Sequence, residues 1–140
     1  MATKPSQAEY ESVAALRAAL RRFLHEAHRI SHAHGLTPQR YDLLAVIQGT
    51  SPGALSISEI ANLLALAPQS VTELVDRAEH ARLVRRVNDK SDRRVTRVAL
   101  TADGKRRLDG ALTALRPERR LLLDLLRNVY AQAELLQPQD

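Results

Sequence analysis

Apolar positions recur at helical spacing over the first quarter of the chain. Val13, Leu16, Leu20, Phe23, Ala27 and Ile30 are separated by three and four residues in turn, one stripe on a helix predicted over residues 8–33. Gly35 ends it. Thr37 as N-cap and Pro38 at the first helical position open a second helix, which carries Tyr41, Leu44, Ala45 and Ile47 or Gln48 to Gly49. The stretch GTSPGA is predicted as a loop. Ser56 and Glu59 match a capping box, and the short helix they begin is predicted to bury Ile60, Leu63 and Leu64. After a break at residues 65–67, Pro68 starts another helix with Val71, Leu74, Val75 and Ala78 inward. Gln69, Ser70, Thr72, Glu73, Asp76 and Arg77 are left outward, the pattern of a helix-turn-helix.

The period then falls from 3.6 to 2. Residues 83–87 and 95–100 read as two strands joined by the polar loop NDKSDRR, a hairpin with a charged tip. Thr101 caps a further helix reaching about residue 115, with Asp103 in its first turn, and Pro117 suits the start of a last one at roughly 118–136. The expected fold is mainly α with a small β-hairpin wing. It divides into an N-terminal dimerisation helix (1–36), a winged helix-turn-helix lobe (37–100) and C-terminal dimerisation helices (101–140).

Charge sharpens this outline. Residues 68–107 hold eleven Lys and Arg against six Asp and Glu, the whole net charge of +5, and the rest of the chain is balanced. A basic segment on a neutral body is the footprint of a polyanion binder, although a solvated charged hairpin would carry the same residues. The apolar fraction of 44% among 140 residues supplies a core and excludes a chain dominated by disorder. Absence of cysteine excludes disulfides, thiolate zinc sites and thiol redox sensing. No apolar run is long enough to span a membrane, and MATKPSQAEYES lacks the apolar segment of a signal peptide, so a cytoplasmic protein is expected. There is no nucleophile elbow, Gly-rich phosphate loop, HExxH pair or convergent carboxylate pair; neither an enzyme nor a cofactor is expected.

The last helix contains Leu121, Leu122, Leu123, Leu125, Leu126 and Val129, which cover more than half its circumference. A helix apolar on most sides needs cover on most sides. Both chain ends are therefore expected to pack against a second copy in a two-fold interface, the alternative being a helix sandwiched within its own monomer. Two-fold symmetry would place two helices in successive major grooves of a palindromic site, about 34 Å apart.

The runs LTPQRYDLLAVI, LSISEIANLLALAPQSVTELVDRAE and LVRRVNDKSDRRVTRVALTADG together resemble the MarR-type family of transcriptional regulators, over about residues 36–107. The wing carries the best match: Asp89, Asp92-Arg93-Arg94, then Leu100-Thr101 and Gly104. The resemblance implies a homodimer on palindromic double-stranded DNA, a repressor released by a small aromatic or phenolic effector. By position, it places Gln69, Ser70, Thr72 and Arg77 toward the major groove and Arg93 or Arg94 in the minor groove or on its phosphates. Pro68, which opens the helix, and Arg86 and Lys90 on the wing complete the candidate DNA-contacting set. Asp76 aligns with an acid that pairs with a wing arginine, which implies a bridge to Arg94. Departures from the family pattern are Ala67 at the helix N-cap, Arg82 where glycine is usual, and Lys90-Ser91 where proline and arginine are usual. A winged-helix module for protein or RNA interaction, or a DNA-binding activator without a ligand, remains the alternative reading.

His25, His28, His32 and His34 cluster, and the first three share one helix face. No acid or cysteine stands at matching spacing, so no metal is assigned. His25, His28 and His32, with Tyr41, are candidate effector-binding residues, and a solvated face is the plain alternative.

Overall fold

The computed structural model describes residues 3–135, and among them six helices and three strands follow in order. These are α1 (Gln7–Ala33), α2 (Pro38–Gln48), β1 (Ala54–Ser56), α3 (Ile57–Leu64), α4 (Pro68–His80), β2 (Val84–Asn88), β3 (Thr96–Leu100), α5 (Ala102–Ala114) and α6 (Arg116–Leu135). The mainly α architecture with a small antiparallel sheet agrees with the sequence reading. Residue 136, the predicted end of the last helix, lies outside the described residues. No helix among those described is long and apolar enough to cross a membrane.

The chain falls into two compact units, Ile30–Thr113 and the segments flanking it. In the first, Leu36, Leu43, Leu44, Ile47, Ile60, Val71, Val75, Leu83, Val98 and Leu108 are buried in one core. Leu108 of α5 belongs to this same core. Ile60 and Ala61 form the buried face of α3. Leu63, predicted to be buried, is 54% exposed. The helix is only eight residues long, and its neighbours cover a narrower arc than three apolar positions span.

The sheet has the order β1-β3-β2, antiparallel throughout. Strand β1 starts at Ala54, the last residue of the stretch predicted as a loop, and pairs Leu55 with Val98. Three residues are too few for a period to be read, and tertiary pairing supplies the strand. Register sets Arg85, Val87, Arg97 and Ala99 on one face, and Val84, Arg86, Val98 and Leu100 on the other.

Two glycines are required by geometry. Gly35 closes α1 at φ +74, with the Leu36 N–H reaching back to the Ser31 carbonyl at 2.9 Å. Gly104 has no room for a Cβ, because the Leu83 carbonyl oxygen occupies that space. The same joint is fastened by Thr101, whose hydroxyl donates to the Arg82 carbonyl at 2.7 Å and accepts from the Gly104 N–H at 3.0 Å. Arg82 itself sits at φ 60, the left-handed conformation that disfavours a side chain. The Leu-Thr-x-x-Gly sequence thus locks the start of β2 to the start of α5.

In the flanking unit, Ala15, Ala18, Ala19, Arg22 and Phe23 of α1 and Glu118, Leu121, Leu122 and Leu125 of α6 line a groove. The α1 stripe is not buried along its length: Val13 is 56% and Leu20 38% exposed. Leu121, Leu123 and Leu126 of α6 are exposed as well.

Candidate nucleic-acid interface

Helices α3 and α4 are joined by three residues. Ser56 and Glu59 form the reciprocal capping box at the start of α3, and Ala65 ends it in the left-handed conformation at φ 53. Ala67 precedes α4 without any side-chain cap, and Pro68 follows at its start. Val71, Leu74, Val75 and Ala78 are buried, which turns Gln69, Glu73, Asp76 and Arg77 to solvent. Ser70 is exposed, while Thr72 is half-buried and its hydroxyl donates back to the Pro68 carbonyl at 3.0 Å. The free face of α4 therefore presents an amide, two carboxylates and a guanidinium.

Strand β2 lies beside this helix, and Arg86 ties the two. Its guanidinium donates to Asp76 and to Glu79, both at 2.6 Å. The Asp76 carboxylate, and secondarily Glu79, raise the Arg86 pKa above its ordinary value, while partial burial opposes them. The predicted Asp76–Arg94 bridge is not formed. Arg94 folds onto Asp92, two residues away in the same turn, at 3.1 Å. Arg86, on the strand next to α4, reaches Asp76 first. The candidate DNA contact at Arg86 thus already has two carboxylate partners.

The wing loop is built on Asp89. Its carboxylate accepts from the Ser91 hydroxyl at 2.7 Å, the Ser91 N–H at 2.8 Å and Arg97 Nε at 2.7 Å. These bonds, the Ser91 hydroxyl foremost, hold the Asp89 carboxyl far below the usual range. Arg97 also donates to Glu59 of α3 at 3.2 Å, so the wing base is moored to the first helix of the pair. Ser91, which departs from the family pattern, is therefore part of the loop's own framework. Lys90 and Arg93 are exposed with no ion-pair partner among the described residues, and Arg94 is exposed beyond its link to Asp92. Sequence reasoning missed the Asp89–Arg97–Glu59 chain. Its one signal is the strand alternation that sets Val87 and Arg97 opposite each other near the tip.

His25, His28 and His32 are exposed, and Tyr41 is half-buried against the core. Among the described residues no three His, Asp or Glu side chains converge as a metal site requires.

A three-residue turn between two helices, a polar stripe on the second and a basic ribbon tied to it define a winged helix-turn-helix protein. A model of the MarR family matches residues 34–95. The chain is 30% identical over 105 residues to the HTH-type transcriptional regulator MhqR of Bacillus subtilis (strain 168), covering 74% of this chain and 67% of that protein. It is also 30% identical over 103 residues to the HTH-type transcriptional repressor MdtR of the same organism, covering 74% of this chain and 63% of MdtR. The chain belongs to the MarR family. It thus spans less than two thirds of MdtR's length. In fold it is similar to Sco3205, a MarR family transcriptional regulator from Streptomyces coelicolor in complex with DNA. That likeness has a TM-score of 0.71 at 20% identity and covers 99% of this chain and 94% of the other.

Proposed function

We propose that this chain is a sequence-specific transcriptional repressor of the cytoplasm. It works as a homodimer on a palindromic double-stranded DNA operator. The observation that carries the reading is the pairing of an exposed polar stripe on α4 with a wing whose Lys90 and Arg93 are unneutralised. Gln69, Ser70 and Arg77 meet the major groove while Lys90, Arg93 and Arg94 neutralise phosphates at the minor groove. Pro68 and Thr72 shape the start of the helix, and Arg86 holds the wing beside it. The names of MdtR and MhqR and the DNA complex of Sco3205 support the same reading. Exposed Tyr10, Val13 and Leu24 on α1, with Leu121 and Leu123 on α6, supply apolar surface for the second copy.

Release by a small aromatic or phenolic effector completes the proposal, with His25, His28, His32 and Tyr41 as its candidate contacts. Such an effector acts only by binding the DNA-incompetent state more tightly. The test is a gel-shift titration on the intergenic DNA beside the chain's own gene, repeated over a range of salt. Specific retention is expected. Replacing Lys90 and Arg93 by Ala reduces the salt slope by up to about two units. Binding indifferent to sequence would favour a module for RNA or protein interaction instead, and an unchanged slope would remove the wing from the interface.

A further inference from the structure

The three acids of α4 are not equivalent. Glu73, Asp76 and Glu79 follow at intervals of three, yet Arg86 takes up the last two. Glu73, nearer the start of the helix, is exposed and has no cation partner among the described residues. Among the described residues its side chain meets one polar group, the Gln69 amide at 3.5 Å, the long limit of a hydrogen bond. The buried positions Val71, Leu74, Val75 and Ala78 fix the inward direction of the helix, and Gln69 and Glu73 project almost diametrically away from it. A surface that meets a polyanion is a costly place for a bare carboxylate, because it repels phosphates on every sequence alike.

That repulsion is offset at one kind of partner, a base edge that offers a donor to an acceptor-only group. Cytosine N4 presents such a donor in the major groove. Adenine sets its amino donor beside the N7 acceptor, a pattern that suits an amide such as Gln69 better than a carboxylate. We infer that Glu73 reads a cytosine, accepting from its N4 amino group, and so sets the base preference at one position of the site. The inference rests on the proposed reading of α4 as the helix that enters the major groove.

The test compares full-length wild type with Glu73→Gln by selection from a library of randomised duplexes, followed by titration of the winning sequence and its single-base variants. Wild type is expected to require C·G at one position. Glu73→Gln is expected to lose between about tenfold and a hundredfold of that discrimination. It should also bind random duplex more tightly, having shed one negative charge, with its thermal melting unchanged. Positional preferences of Glu73→Gln that superimpose on those of wild type would overturn the inference while leaving the regulator reading intact. A wild type with no sequence preference would overturn both, and the wild-type arm alone separates these cases.

Discussion

A methyl group added at Gly104 lands on the Leu83 backbone carbonyl, and neither a Cβ nor a carbonyl has a rotamer to give. Gly110 offers the contrast, since a Cβ there meets the His34 ring at 2.7 Å, and a ring can turn aside. Gly104→Ala is therefore expected to cost about 2–3 kcal/mol and Gly110→Ala less than about 1.5 kcal/mol, read from urea denaturation midpoints. Equal losses would show that the joint between β2 and α5 is not the rigid point described. Asp89 makes a second residue-scale prediction. Its folded pKa is depressed by Ser91 and Arg97, so its contribution is fully present above the ordinary aspartate value of about 3.9 and is lost as pH falls below that toward the lowered value. An NMR titration should find the Ser91 amide unmoved through pH 4 and shifting only in stronger acid. Movement centred near pH 4 would contradict the bonding described.

At the scale of elements, caps divide the two helices of the pair. Helix α3 begins with both halves of its capping box made, whereas α4 begins at Ala67 with none. Ala67 already has the extended backbone of an N-cap, at φ −65 and ψ 143. Ala67→Ser is thus expected to stabilise the chain by about 0.5–1 kcal/mol, measured as a raised denaturation midpoint with unchanged slope. The helices and the hairpin were legible in the sequence because each has its own period and its own punctuation: Pro38, Ser56, Pro68 and Thr101 mark starts that the fold keeps. Strand β1 was not legible, since Ala54 to Ser56 pair only because β3 lies alongside. Of the interface, the outward face of α4 was read from periodicity. The partner of Asp76 was not, because arginines at 86 and 94 look alike until register puts one of them beside the helix. Leu63 failed for a related reason: spacing names a helix's apolar side but not how far its neighbours reach around it.

For the whole molecule, the exposed leucines of α6 and the apolar positions of α1 bear on assembly. Sedimentation equilibrium is expected to give twice the chain mass. Leu123→Asp is expected to weaken that association roughly tenfold or more without lowering the helical circular dichroism, since a charge is then pressed into an apolar contact. A wild type of single-chain mass at every concentration would remove the homodimer from the proposal. The same variant should weaken retention of a palindromic duplex far more than retention of a half-site.

Arg97 grips a carboxylate on the hairpin loop and another at the head of α3, 38 positions earlier in the chain. The ribbon is thus guyed like a mast, with one stay on its own deck and one on the neighbouring hull. Any swing of the tip away from α3 must first slacken the stay to Glu59, so the reach of Arg93 and Arg94 is tied to a carboxylate outside the hairpin.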